Sequence, residues 1–338
     1  MQKKINIGIW VVVLFLFGFL LCRNVLYRQQ VKEYQITGRY FGEDVKVKIY
    51  LKNDKKVKSI FKKVESILNM YDEFTTTDTK TQEINLYTLN HSDQLEVSLT
   101  KNQFEFLSYG KKWYEKSNHL INIQMNNVIS DWETYFNRGV FPTQLELDLM
   151  KLPEVNDIEL KDNFIKWTDS LALNTESYEK GYTIQKIEQY LKQESVESYL
   201  IQIGSNITVG EHYSSSTYKI VLENPINGEI DTTLSLKNKS IVTKGSYQKQ
   251  VTMESDKTYT TMLSPETKQP AMKVASVTVI SSDALFSDTL SSILFQMEIE
   301  EGKAYLKDYR DVEVIWRTLD GKTVKTGKVN DWLKKEKS

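Results

Sequence analysis

The sequence predicts an α+β fold, mixed sheets with packed helices, and three observations carry that expectation. Val45, Val47, Ile49 and Leu51 alternate with lysines, the period-2 pattern of a strand buried on one face. Val57, Ile60, Phe61, Val64, Ile67 and Leu68 fall on one stripe of a helix, as do Ile184, Ile187 and Leu191. Along the chain, hairpins and central strands alternate with about five such helices in irregular order, not the regular βαβα of a parallel sheet.

Composition sets the outer bounds. The 338 residues are 40% hydrophobic and 26% charged, with a net charge of −1. That suits one large domain or two intimate subdomains, and it gives no basic footprint for nucleic acid. Cys22 is the sole cysteine, so no intrachain disulfide forms and Cys/His zinc spacings are absent. His91, His119 and His212 are scattered, with no Cys-His or Ser-His arrangement.

Residues 7–22 form an uninterrupted apolar run behind Lys3 and Lys4, extended by Ile5 and by Val25, Leu26 and Tyr27. With no small-residue cleavage pattern after it, the run reads as an uncleaved membrane anchor rather than a signal peptide. The expected organisation is an anchor with a short linker over 1–30, one domain over 31–330 and a charged tail over 331–338. Positive charges on the two sides of the run nearly balance, so orientation stays open at this point.

Within the domain, 27–33 reads as a polar linker, and 34–40 with 45–51 as a hairpin turning at Gly42-Glu43-Asp44. Asn53 or Asp54 is expected to cap the first helix. Residues 83–90 read as a short helix, 95–98 as a strand and 101–116 as a helix. Residues 163–173 read as a pair of strands, 200–204 as a strand, 300–306 as a helix and 312–316 as a strand before an Asp320-Gly321 turn.

The most specific stretch is 275–297, ASVTVISSDALFSDTLSSILFQM. Val277 and Val279 alternate as in a strand, and Asp283 stands where a helix would be capped. Phe286, Leu290, Ile293, Leu294 and Met297 form an apolar stripe, with Asp288 and Ser292 four apart on the opposite face. By spacing alone that pair is a solvated polar face. The whole string, however, resembles the C-terminal signature of the FAD:protein FMN transferase family, the ApbE-like flavin transferases.

Further matches follow that resemblance. Residues 174–182, NTESYEKGY, resemble the family's DLGGIAKGY: Lys180, Gly181 and Tyr182 match, while Glu176 and Ser177 replace two glycines and Glu179 an alanine. Gly204 and Asn206 resemble a GGN step, and residues 243–247 a TSGdY step in which Lys244 replaces the serine. Residues 261–270 resemble H-I-I-D-P-x-T-G-x-P; Pro265, Thr267 and Pro270 match, while Thr261, Ser264 and Lys268 replace the His, Asp and Gly. Residues 117–132 loosely resemble the family's SdGaFDpTvgpLvdlW, with Leu120 and Asn122 at its Phe-Asp core.

The resemblance implies the ApbE-like fold and a transfer of FMN from FAD to a Thr or Ser of an exported flavoprotein. The main domain would then lie on the extracytoplasmic side of the cell membrane, held by a single-pass helix. It implies Mg²⁺ bound by Asp288, Ser292 and the backbone carbonyl of Glu179, and FAD contacts at Lys180, Gly181, Tyr182, Gly204, Asn206, Thr243, Gly245, Pro265 and Thr267. A catalytic residue is not assigned, because Thr261 at the His position cannot move a proton unaided. The alternative is a catalytically degenerate relative that serves as a flavin- or protein-binding scaffold. No stretch of the chain resembles the family's acceptor motif, so the implied acceptor is another protein.

Overall fold

The computed structural model describes residues 31–214, 216–223, 230–247, 250–253, 257–327 and 329. The apolar run at 7–22 and the tail from Lys334 lie outside the described residues. Among the described residues, no helix is long and apolar enough to cross a membrane.

The α+β expectation holds, and every strand pair described is antiparallel, so the sheets are not mixed. The organising layer is an eight-stranded sheet of order β1-β2-β6-β7-β10-β13-β14-β15. Its strands are β1 (Lys32–Tyr40), β2 (Glu43–Leu51), β6 (Tyr199–Ile203), β7 (Asn206–Val209), β10 (Lys239–Gly245), β13 (Ser276–Ser281), β14 (Glu313–Arg317) and β15 (Thr323–Lys325). The first hairpin turns one step earlier than the sequence suggested, at Phe41 and Gly42, both in the left-handed region. Lys32 and Glu33, read as linker, pair with Leu51 and Tyr50.

Helices cover one face of this sheet: α1 (Val57–Thr75), α6 (Glu179–Gln193) and α7 (Ala284–Phe295). The apolar stripe of α1 goes inward as its period requires, with Ile60, Val64, Ile67 and Leu68 buried. Its start differs from the expectation. Lys56 occupies the cap without a side-chain hydrogen bond, because Asn53 spends its oxygen on the N–H of Lys55.

On the other face lies a two-stranded hairpin, β8 (Tyr218–Glu223) and β9 (Ile230–Leu236). Tyr218, Ile220, Leu234 and Leu236 pack there with Ile241, Ile280 and Ile315. The sheet is thus covered on both sides, and β13 is buried at every position. Its valines alternate as expected of a strand, and the hairpin removes the second face from water.

The remaining elements form a flank. Helix α2 (Leu86–Asn90) is shorter than the helix read at 83–90, because Asn85 caps it with a reciprocal Thr88 bond. Helix α3 (Lys101–Lys116) has the expected bounds and is capped by Thr100 and Gln103 in the same way. A three-stranded sheet joins β3 (Glu96–Ser98), β5 (Phe164–Trp167) and β4 (Ile158–Lys161). The strand pair read at 163–173 therefore sits earlier, with Asp162 and Asn163 as the left-handed turn between its strands.

Helices α4 (Asn126–Arg138) and α5 (Gln144–Leu149) carry a separate apolar cluster. Its centre is Trp132, which is fully buried and packs with Met253 and Leu263. A short pair, β11 (Gln250–Thr252) and β12 (Thr258–Thr260), lies next to it. Helix α8 (Ile299–Tyr305) precedes β14. Eight α-helices are described, more than the five or so expected; α4 and α5 are the two that the sequence reading gave no bounds.

Candidate functional site

Helices α6 and α7 cross at close range, and one residue explains why. A Cβ on Gly181 would lie 2.5 Å from the Asp288 Cβ and 2.7 Å from the Ala284 carbonyl oxygen. Only glycine allows this approach. It brings the N-terminal turn of α6 against Asp288, whose Oδ2 accepts the Gly181 N–H at 2.8 Å. A carboxylate at this helix end satisfies an otherwise orphaned donor and complements the macrodipole.

Asp288 and Ser292 are therefore not a solvated face; both are fully buried. Ser292 donates its hydroxyl to the Ser177 carbonyl at 2.8 Å, which ties α7 to the loop before α6. Lys244, near the end of β10, places its Nζ 3.1 Å from Asp288 Oδ1. At that position Oδ1 accepts no well-aligned hydrogen bond and faces the ammonium as an ion pair. Lys180 lies close by, its Nζ 3.6 Å from Glu43 Oε1 at the start of β2.

These groups form one end of an open cleft. Lys180, Lys244, Glu43, Glu176 and Ser177 line that polar end. Leu120, Met125, Ile129, Met262, Leu263 and Pro265 form an apolar wall, with Thr261 and Asn122 among them. No histidine lines the cleft.

The sequence-predicted residues divide into three groups. Lys180, Gly245, Thr261, Pro265 and Ser292 line the cleft, with Gly181 and Asp288 buried immediately behind it. Gly204 and Thr243 line a groove on the opposite face of the sheet, where Thr243 shares a hydrogen bond with Thr278. Thr243 alternates with Lys244 in β10, so the motif that carries Lys244 into the cleft carries Thr243 away from it, whereas Gly204 lies in the β6–β7 turn at a left-handed φ of 53°. Tyr182 belongs to the aromatic core, with its ring centroid 4.8 Å from that of Phe106. Asn206 is fully buried, and Thr267 is exposed and accepts the N–H of Gln269.

The loop carrying Thr261 is held from behind. Lys268, at the family's glycine position, keeps a left-handed φ of 53°. Its Nζ donates to the Leu147 and Met150 carbonyls at the end of α5, and its own carbonyl accepts from Trp132 Nε1 at 2.6 Å. Those bonds offset the strain of a side chain in that region.

Glu179 is the remaining member of the expected metal set. Burial pushes its carboxyl up to about 7, and the Glu176 charge adds to the rise. Thr175 donates a hydroxyl to it at 2.9 Å. Its backbone carbonyl accepts the Thr183 hydroxyl at 2.8 Å. The donor set thus does not fit a divalent cation. An ammonium stands 3.1 Å from the one anionic ligand, where the cation would have to sit. Among the described residues, no three His, Cys, Asp or Glu side chains converge as a metal group.

Sequence reasoning missed the role of Lys244, which it noted only as a replacement for serine. A long cation where a small hydroxyl is expected was the signal available. Glu43 carried no signal, since only the β2–β6 pairing brings its turn beside α6.

Comparison with known proteins agrees with this geometry. Residues 41–316 match the ApbE family. An FAD:protein FMN transferase of Klebsiella pneumoniae (strain 342) is 23% identical over 294 residues, covering 84% of this chain and 89% of that protein. One from Buchnera aphidicola subsp. Schizaphis graminum is 24% identical over 300 residues, covering 85% and 87%. The structure of the ApbE protein from Thermotoga maritima superposes with a TM-score of 0.77 at 15% identity, covering 89% of this chain and 99% of that one. The flavin transferase ApbE from Vibrio cholerae gives 0.74 at 18% identity, covering 90% and 100%. With most of its length matched and the same fold, this chain belongs to the ApbE family.

Proposed function

We propose that this chain transfers FMN from FAD to a Thr or Ser hydroxyl of an exported flavoprotein. In this reading the apolar run at 7–22 anchors it in the membrane, and the domain works on the extracytoplasmic side. One observation carries the chemistry: two lysines, Lys180 and Lys244, meet the N-terminal end of α6 at the polar end of a cleft whose other side is mainly apolar. Such a cleft suits a dinucleotide, with the diphosphate at the lysines and a flat ring on the apolar side. The names carried by the relatives support the same substrate.

In the reaction the acceptor oxygen attacks the FMN phosphorus. A new P–O ester bond forms, the diphosphate P–O bond breaks, and AMP leaves with the electron pair. The lysines offset charge on the phosphate oxygens as it develops. Thr261 offers no imidazole to take the acceptor proton, so that proton leaves to a lining carboxylate, Glu43 or Glu176, or to water. No step is routed through Mg²⁺, because the residues present do not fit it.

The second reading, a flavin-binding scaffold without transfer, is favoured by Glu176 and Ser177. Side chains at these glycine positions narrow the backbone approach, and Glu176 adds negative charge beside a diphosphate. Incubation of the full chain with FAD and a Ser/Thr acceptor peptide separates the two. Mass spectrometry showing a flavinylated peptide with matching AMP release supports transfer. Bound FAD with neither product supports the scaffold, and absence of FAD binding sinks both.

A further inference from the structure

We propose that Lys244 supplies, from within the chain, the positive charge that a divalent cation would otherwise bring to this cleft. The cleft would then hold a diphosphate without metal. The nucleotide half of this statement rests on the flavin-dinucleotide reading above; the metal half does not.

Three observations converge. The Lys244 ammonium lies 3.1 Å from Oδ1 of a carboxylate with no solvent exposure, while the lysine side chain itself is only 11% exposed. The other carboxylate oxygen is taken by the Gly181 N–H. Finally, Lys244 lines the cleft as well as facing Asp288. The ammonium is paired with Asp288 by charge rather than by an aligned hydrogen bond, so its three donors can reach an anion in the cleft. A second cation on the same carboxylate oxygen would be repelled at close range in a weakly screened site.

Lys244 is thus held by Asp288 in the pose a phosphate needs. Asp288 acts through it as a positioning residue and not as a metal ligand.

The test begins with the full chain free of nucleotide and Mn²⁺ as the probe, with free Mn²⁺ read by electron paramagnetic resonance. Wild type is expected to take up no more Mn²⁺ than Asp288→Ala. Lys244→Ser is expected to gain a site, which the added Asp288→Ala change removes again. A stoichiometric Mn²⁺ site in wild type that Asp288→Ala abolishes would overturn the proposal. That comparison stands even if Lys244→Ser fails to fold.

Calorimetric titration with FAD then reads the nucleotide half. Wild-type affinity should agree within about twofold in EDTA and in Mg²⁺, and Lys244→Met should lose about tenfold or more in EDTA. Strict dependence of wild-type binding on Mg²⁺ would overturn the proposal. Failure to bind FAD under either condition would strike the flavin reading, and the Mn²⁺ comparison would still decide the role of Lys244.

Discussion

Gly181 donates its backbone N–H to Asp288 Oδ2 at 2.8 Å, and that single bond joins the first turn of α6 to the middle of α7. The same carboxylate faces Lys244 on its other oxygen. One buried side chain therefore caps a helix and positions a cation.

Asp288→Ala removes both functions and leaves an ammonium facing an apolar void. We expect a loss of about 3 kcal/mol in stability, in the range for breaking a largely buried ion pair. Asp288→Asn keeps an acceptor for Gly181 and should cost about half as much. Urea denaturation of the two variants measures the difference, and equal losses would mean that the cap contributes little.

Gly181→Ala tests the helix crossing. Alanine favours helix by about 1 kcal/mol over glycine, but its Cβ would meet the Ala284 carbonyl at 2.7 Å. Backbone cannot step aside without parting the helices, so a net loss of about 2 kcal/mol is expected. A thermal melt unchanged or raised in the variant would show that the crossing is loose.

Glu179 should leave a signature in pH. Its native carboxyl titrates at about 7, above the ordinary 4.5. Between those values the native state holds a proton that the unfolded state has lost. Stability is therefore fully present below about pH 4.5 and falls as pH rises through 7. Glu179→Gln should flatten that decline and gain about 1–2 kcal/mol at pH 8, an amount reduced by the side chain's partial access to water. Denaturation midpoints from pH 5 to 8 would check it; parallel curves for the two proteins would contradict the assignment.

Thr261 gives a functional prediction that rests on the transfer reading. It lines the cleft on a loop held by Lys268 and Trp132, so a histidine there would meet bound substrate. Thr261→His should raise kcat for peptide flavinylation by roughly 10²-fold if proton removal limits the rate. The gain should appear above the imidazole pKa, where the ring is neutral. A rate unchanged at every pH would place the limiting step elsewhere.

The parts of the fold legible in sequence are those specified locally. Helix α3 had the bounds expected because its stripe and its Thr100–Gln103 cap agree. Helix α7 was announced by Asp283, which does cap Phe286. The start of α1 was misread because two neighbouring Asx residues were available, and the competing bond to Lys55 is invisible in a pattern. Helix α5 was not read because its six residues are too few to show a period, and α4 was passed over although its 13 residues are enough to show one.

The family signature likewise located Lys180, Gly245, Pro265, Thr261, Asp288 and Ser292 around one place. It could not separate Thr243, whose side chain lies on the other side of the sheet. A motif written as a string has no faces, whereas a strand sends adjacent side chains in opposite directions.

By itself, then, the sequence determined the class of fold, the central hairpin, the α7 helix with its Asp–Ser pair and the family to which they point. All of these rest on short-range periodicity, capping and residue order. Tertiary structure alone decided that the Asp–Ser face is buried, that Gly181 is a packing residue, and that Lys244 reaches Asp288. Those facts join β10, α6 and α7, segments far apart in the chain, through contacts of a few ångströms. Burial then converts an exposed-looking carboxylate into one that must find a cation, and the fold delivers a lysine.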